Sequence, residues 1–250
     1  MKRIVGCGLL LFGVWTCAWA QDPRDLLNQA RAAYDRGEYA AAGAAYDQVL
    51  SLGVDRPEVY YDLGNAEFKA GHIGRAIAAY RRALKRAPQD EDIRYNLDFV
   101  RGFVHQPADR SGPLTRLAGS ALTWYTSEAL ARSALAVYLL LAVLTAAWLW
   151  TRNRLSWLRW AAAVAAGLFL FAAGWTSVRL VLERNTRWGV VVSAQAEARN
   201  GPNAEYSVGF VIPEGREVRI LGQEGNWVAV GLPNEGYKGW VQAAEVLADE

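Results

Sequence analysis

The apolar and polar positions of this chain follow three patterns, each confined to one region. Residues 21–104 carry small and apolar residues in blocks that recur along the chain, which predicts paired helices. Residues 133–178 contain two long apolar runs separated by a short basic stretch. From residue 188 onward, short β-branched runs alternate with turn residues, as is typical of strands. We therefore predict a multidomain chain with an α-helical repeat domain, two transmembrane helices and a C-terminal all-β barrel.

The first region, residues 21–104, has a period of 34 residues. Gly71 is expected to end a helix in a tight turn, because a left-handed backbone costs little only for glycine. Pro88 is expected to stop the following helix. Small residues at fixed offsets in this period indicate a tetratricopeptide repeat domain, a fold that holds other proteins on a concave surface. The recurring pairs are Gly37 and Gly71, Ala42 and Ala76, Tyr46 and Tyr80, and Leu50 and Leu84.

The inward stripe along the first helix of each pair is the predicted protein-binding groove. Arg31 and Asn65 are candidates to hold a peptide carboxylate or backbone, since charge-assisted hydrogen bonds are the strong ones. The alternative is that Tyr61, Phe68 and Tyr95 pack between repeats, because stacked repeats must bury a continuous core. A groove this short needs a second module or a membrane-bound partner to add affinity. The predicted groove residues are Arg24, Arg31, Tyr34, Glu58, Tyr61, Asn65, Phe68 and Tyr95, with Leu27, Asp92 and Phe99 beside them.

The two apolar runs, residues 133–151 and 160–178, each contain 19 residues and no charge. As helices they would be about 28 Å long, close to the thickness of the hydrocarbon core of a bilayer. The alternative is a buried helical hairpin, but nothing else in the chain is large enough to bury one. We interpret the runs as transmembrane helices in contact with the lipid bilayer. Tryptophans cluster near their ends, as at membrane interfaces: Trp148, Trp150, Trp157, Trp160 and Trp175.

The N-terminus, residues 1–20, has the pattern of a secretory signal peptide with a cleavage site after Ala20. An uncleaved anchor and lipidation of Cys17 are the alternatives. The loop at 152–159 contains three arginines and no acid, which favours the cytoplasm. With an exported N-terminus, both soluble domains would then lie in the periplasm, on the outer face of a bacterial inner membrane. The segment 105–132 is predicted as a linker containing a helix that lies on the membrane surface or packs under the repeats.

The C-terminal region, residues 188–250, carries four landmarks in order: the sequence ARNGP at 198–202, PEG at 213–215, Trp227, and GYKGWV at 236–241. This order resembles the bacterial SH3-like barrel. The resemblance implies a binding module whose ligand is cell-wall peptide or a protein loop, with Gly239 allowing a close approach of the chain. Aromatic residues are the candidates for contact with that ligand, although a small barrel also needs Trp227 and Trp240 to fill its core. The predicted ligand-binding residues are Tyr206, Tyr237 and Trp240.

Composition argues against several classes of function. There are 27 basic and 25 acidic residues, so nothing favours nucleic acid as a partner. The only cysteines, Cys7 and Cys17, lie in the leader, and the two histidines have no companion at metal-ligand spacing. The acidic run that begins at Asp90 is expected to cap a helix. No nucleotide-binding or nucleophile motif is present. We predict a protein that is not an enzyme and that uses no metal or cofactor.

The order of modules, together with the stretch from Tyr60 to Arg101, resembles the BatE family of Bacteroides-aerotolerance operon proteins. Its closest segments are YYDLGNAEFKAG, AIAAYRRAL and APQDEDIRYNLDFVR. Asp62 stands where that family usually has asparagine, so the resemblance assigns this side chain no role. The resemblance implies a membrane scaffold whose partners are proteins with von Willebrand A domains and a MoxR-type AAA+ ATPase. From a different class, we retain an envelope receptor whose SH3-like module binds peptidoglycan.

Overall fold

The computed structural model describes residues 22–104, 127–150, 157–233 and 235–249. The predicted fold class is confirmed: a helical repeat region is followed by two apolar helices and a C-terminal antiparallel β-sheet domain. The predicted signal peptide and most of the predicted segments 105–132 and 152–159 lie outside the described residues. The sequence predictions for those segments therefore stay predictions.

The repeat region consists of two antiparallel helix pairs and the first helix of a third. An aspartate caps the helix at each end of this region, because its carboxylate accepts backbone N–H groups that have no partner within the helix. Asp22 caps the first helix, and Asp90 accepts from the backbone of Asp92 and Ile93, which confirms the predicted capping role of Asp90. The five helices are α1 (Pro23–Asp35), α2 (Tyr39–Ser51), α3 (Pro57–Lys69), α4 (Ile73–Arg86) and α5 (Glu91–Arg101).

Small residues set how closely these helices approach. Gly37 and Gly71 end α1 and α3 with φ angles of +79° and +89°, the left-handed region predicted for them. A Cβ on Gly64 of α3 would lie 2.7 Å from the ring of Tyr80 on α4, so only glycine fits there. Ala76 and Ala83 on α4 are fully buried, as expected where two helices are in close contact.

The two apolar helices are α6 (Ser127–Trp150) and α7 (Trp157–Asn185), which pack against each other with the rings of Tyr138 and Phe169 5.8 Å apart. Their segments Ala129–Trp150 and Trp160–Val181 are long and apolar enough to cross a membrane. Most of their large apolar side chains are exposed, which is unfavourable in water and favourable in lipid. The pair is therefore consistent with membrane anchoring.

The C-terminal domain is a seven-stranded antiparallel sheet in the order β3-β2-β6-β5-β4-β1-β7. Every strand contributes to one core, so the sheet wraps around it as a small barrel. The predicted close approach at Gly239 is confirmed, because a Cβ there would lie 2.9 Å from that of Ala198. The strands are β1 (Arg187–Val191), β2 (Gln195–Arg199), β3 (Val208–Pro213), β4 (Glu217–Glu224), β5 (Trp227–Gly231), β6 (Lys238–Gln242) and β7 (Val246–Ala248).

The repeat region and the barrel are docked through α4, an arrangement that the sequence does not predict. Val190 of β1 belongs to the same buried cluster as Ile77 of α4 and Leu97 of α5. The backbone N–H of Gly74 donates to Glu214, with 2.8 Å between nitrogen and oxygen. The repeats and the barrel therefore form one folded unit, and we call their contact the junction.

A buried ion-pair network crosses the junction. The guanidinium of Arg81 donates to Glu217 and, with Nη2–Oδ2 at 2.6 Å, to Asp249. Arg101 Nε donates to the other Glu217 oxygen at 2.7 Å. The side chains of Arg81, Glu217 and Asp249 are each 15% exposed or less. Charges buried this deeply are tolerated only when they are paired and hydrogen-bonded, as they are here.

We expect Gly74→Ala to disrupt the junction. A Cβ at this position would lie 2.3 Å from the backbone oxygen of Val191, which a side-chain adjustment cannot relieve. The expected loss is about 2–3 kcal/mol of stability, measured by thermal unfolding of the detergent-purified chain. Gly222→Ala is the control, since nothing lies within 4 Å of its Cβ position. Equal stability of the two variants would contradict the docked arrangement.

We also expect the junction to weaken in acid. Burial raises the pKa of Glu217, but Arg81 and Arg101 outweigh that effect and hold it below its ordinary value. A depressed pKa gives stability that is present above the ordinary glutamate value, about 4.3, and lost as the pH falls through the folded-state pKa. Glu217→Gln should therefore cost about 2–3 kcal/mol at neutral pH and progressively less below about pH 4. A difference between wild type and variant that is unchanged across this range would refute the ion-pair network.

Candidate functional site

The predicted groove lies along α1, α3 and α5, the first helices of the three repeats. Four of its residues are exposed on this surface: Arg24, Arg31, Glu58 and Tyr95, the last of which is 71% exposed. The other four, Tyr34, Tyr61, Asn65 and Phe68, are half-buried.

Asp62 lies at the centre of the groove and pairs with Arg31 across the α1–α3 contact, with Nε and Oδ2 4.0 Å apart. Burial raises the pKa of Asp62, and the nearby Arg31 only partly offsets this. Burial and the Asp62 charge raise the pKa of Tyr46 to about 12, and burial together with Tyr39 and Asp62 raises that of Tyr34. The sequence assigns Asp62 no role, yet its charge acts on Arg31, Tyr34 and Tyr46.

Asn65 and Tyr61 both have side-chain partners: Asn65 bonds within its own repeat, and Tyr61 bonds to the next repeat. The Tyr80 hydroxyl donates to Asn65 Oδ1 at 2.6 Å, and the Asn96 amide donates to the Tyr61 hydroxyl at 2.7 Å. The Tyr61 and Tyr80 rings are 5.9 Å apart. Asn65 therefore has one acceptor position already occupied, and Tyr61 follows the packing alternative. Of the two candidates for holding a peptide carboxylate, Arg31 is the more available.

Three aromatic rings stack at the C-terminal end of α5. Phe68 lies 5.7 Å from Phe99 and 5.5 Å from Phe103, and the last two rings are 5.3 Å apart. Phe99 is 50% and Phe103 61% exposed, so the cluster is open to solvent in the described part of the chain. Phe103 follows α5 and was not predicted, although its spacing of four residues from Phe99 and eight from Tyr95 places the three on one helical face. One end of the groove is thus polar and the other aromatic.

The predicted residues of the barrel site lie on β6 (Trp240) and in the loops that precede β3 and β6 (Tyr206 and Tyr237). The rings of Tyr237 and Phe210 are 5.6 Å apart, and Trp240 is directly opposite Arg199 in the sheet. Arg199 Nη1 donates to the carbonyl of Tyr206 at 2.8 Å and so fixes the loop that carries this side chain. Arg199 therefore lies beside Trp240 and bonds to the loop of Tyr206. Tyr237 instead contacts Phe210, a ring that packs against the barrel core. Arg199 and Phe210 were not predicted, because a strand arginine and a strand phenylalanine are ordinary in sequence.

The junction and the barrel site occupy opposite edges of the sheet. The junction uses β1, β7 and the start of β4, whereas the barrel site uses β3, β2 and β6. On the repeat side, docking uses α4 and, through Leu97 and Arg101, one face of α5, while Tyr95 on the same helix stays exposed. Both candidate binding surfaces are consequently accessible on one folded unit.

Glu67, His72 and Arg75 form a polar cluster between α3 and α4. His72 Nδ1 lies 2.7 Å from Glu67, whose buried carboxylate also accepts from Arg75 at 2.8 Å. Within the described ranges, no group of three or more His, Cys, Asp and Glu side chains could hold a metal ion. These contacts connect α3 to α4, so we interpret the cluster as stabilising the helix pair.

The architecture thus defines a protein with a helical repeat domain, two apolar helices and a small β-barrel. Comparison with known families agrees: residues 27–97 match the tetratricopeptide repeat and residues 195–246 match the bacterial SH3 domain. Among curated proteins, the chain is similar to "Probable cell wall amidase LytH" of Staphylococcus aureus, for example in strains USA300 and NCTC 8325. The identity is 33% over 52 residues, or 21% of this chain and 18% of LytH. The chain therefore spans less than a fifth of the length of these relatives.

Proposed function

We propose that this protein is a non-enzymatic scaffold anchored in a bacterial inner membrane, with its repeats and SH3-like barrel in the periplasm. The observation that carries the proposal is the junction, which leaves the groove and the barrel site accessible on one rigid unit. Such a unit holds two ligands at a fixed separation, and binding at one site raises the effective concentration at the other. Catalysis would require a reactive constellation, whereas the groove consists of side chains suited to holding a chain.

The chemistry of the groove favours a peptide segment that combines charge with apolar side chains. Arg31 offers an exposed guanidinium for a carboxylate. Phe99 and Phe103 offer exposed rings to apolar or aromatic side chains. A segment that contacts both would cross the groove from α1 to α5, which supports protein recognition as the function of the repeats.

The finer assignment follows the resemblance to the BatE family. On that reading the groove binds membrane proteins with von Willebrand A domains, in an assembly that includes a MoxR-type ATPase. Such an assembly would contribute to stress tolerance or to the integrity of the envelope. The two apolar helices support this proposal, because they would keep the scaffold in the same membrane as its partners.

A second candidate function is favoured by the aromatic surface of the barrel. Tyr206 and Tyr237 are 50% and 59% exposed there, which leaves both rings available to a ligand. The similarity to a protein named as a probable cell wall amidase makes peptidoglycan a candidate ligand of the barrel. The short match carries no amidase activity to this chain. On this reading the protein is an envelope receptor.

The scaffold proposal is tested by changing the groove. Arg31→Glu combined with Tyr95→Ala reverses one exposed charge and removes one exposed ring without disturbing the buried Tyr80–Asn65 bond. We expect at least about tenfold lower recovery of von Willebrand A proteins and of the MoxR-type ATPase from solubilised membranes, as two contacts of about 1 kcal/mol each are lost. The matched control is Arg56→Glu with Leu52→Ala, two exposed residues between α2 and α3. Unchanged recovery with the groove variant would refute the assignment.

The receptor alternative is tested with purified sacculi and the full chain in detergent. If it is correct, the protein co-sediments with sacculi, and Tyr206→Ala with Tyr237→Ala lowers the bound fraction about tenfold through the loss of two ring contacts. Tyr95→Ala with Phe99→Ala removes two exposed rings from α5 instead and should leave sedimentation unchanged. Wild-type protein that stays in the supernatant would exclude the receptor function.

A further inference from the structure

The chain passes from the second apolar helix into the barrel with almost no spacer. The apolar segment of α7 ends at Val181, the helix at Asn185, and β1 begins at Arg187, so Thr186 is the single residue between them. Four helical and two extended residues span at most about 13 Å. Given the membrane placement proposed above, on which this inference rests, Arg187 therefore lies within the headgroup region of the bilayer or at its edge.

The junction determines which part of the repeat domain lies beside this point. β1 runs antiparallel to α4: its first residues contact the C-terminal half of the helix, and Val191 contacts Gly74 at the other end. The Arg81 guanidinium lies 5.6 Å from the centre of the Trp188 ring. Lys85 Nζ donates to the Asp249 carbonyl, while the Asp249 N–H donates to that of Trp188. The C-terminal end of α4 therefore faces the bilayer.

Three exposed basic side chains lie around the point where β1 begins. The acids that contact α4 across the junction, Glu217 and Asp249, are buried and paired with Arg81, while the exposed acids of this end lie on the repeats at Asp55 and from Asp90 to Asp92. Arg187 and Arg219 are exposed and form no ion pair with any acid in the described ranges. Arg219 is paired in the sheet with Trp188. Lys85 is exposed and donates to the carbonyl of Asp249. We call Lys85, Arg187 and Arg219 the basic collar.

We propose that the basic collar binds the phosphate headgroups of anionic phospholipids around the exit of α7. Cations near an anionic membrane surface each contribute about a fivefold gain in binding, and unpaired guanidiniums suit phosphate best. The contact would hold the unit at a fixed height and orientation, with the aromatic end of the groove directed away from the bilayer. The groove is then presented to membrane-bound partners.

The test uses the full chain purified in zwitterionic detergent and titrated with phosphatidylglycerol or phosphatidylcholine, with bound lipids counted by native mass spectrometry. Wild-type protein should retain phosphatidylglycerol in preference. Arg187→Gln with Arg219→Gln should weaken that binding about tenfold or more. Equal affinity of this variant and wild type would overturn the proposal.

Two further variants separate charge from structure. Arg187→Lys with Arg219→Lys keeps both charges and should retain most of the binding. Arg36→Gln with Lys69→Gln removes two exposed charges from the far end of the helix pairs and should change nothing. A control variant that loses lipid as strongly as the collar variant would show that only net charge matters, which contradicts a collar.

Two further measurements distinguish lipid phosphate from free phosphate, and failure of the membrane placement from failure of the collar alone. Inorganic phosphate alone should not displace the lipid at equal concentration, and displacement would assign the site to free phosphate instead. Extraction of the chain from membranes by alkaline carbonate would refute the membrane placement and with it the proposed scaffold. A chain that resists carbonate but binds phosphatidylglycerol equally with and without the collar would refute only the present inference.

Discussion

The buried guanidinium of Arg81 holds the repeats and the barrel in one arrangement. It joins Glu217 at the start of β4 to Asp249 near the C-terminus, and Trp188 lies beneath it. Removing water from such a charge costs free energy, and the ion pairs with Glu217 and Asp249 offset that cost. Because the offset requires good geometry, a misaligned junction would be unstable. Because both acids belong to the barrel and the arginine to the repeats, this network favours one docking geometry over its neighbours.

Docking gives the short repeat domain what longer repeat proteins obtain from further repeats. A helix pair cannot bury its apolar face alone, and terminal repeats need a cover. Here Val190 and Leu247 of the barrel pack on the cluster formed by α4 and α5. The barrel in turn gains a covered edge at β1 and β7. Each module thus completes the other, which explains how two small domains that flank the apolar hairpin in the chain form one stable unit.

The candidate sites were only partly predictable, for identifiable reasons. Groove positions follow from the repeat period, so the sequence alone places Arg31 and Tyr95 on the first helices of their repeats, where both are exposed. The period could not show that the Tyr80 hydroxyl donates a hydrogen bond to Asn65, because that bond depends on the orientation of the Tyr80 ring between two helices. In the barrel, Arg199 and Phe210 were missed because their neighbours, Trp240 and Tyr237, come from a distant part of the chain. The β-branched runs do not mark strand β2, because its alternating alanines and charged residues have low strand propensity.

Local signals in the chain specify most of the elements and their order: the 34-residue period, the turn glycines, the Asp90 cap and the two apolar spans are each readable within a few turns of chain. How the modules meet depends instead on contacts between distant residues. Arg81 and Glu217 are 136 positions apart, and Arg81 and Asp249 are 168 apart. In the sequence, Arg81, Glu217 and Asp249 look like ordinary charged surface residues. Their pairing becomes apparent only in the folded structure, where they are buried next to one another.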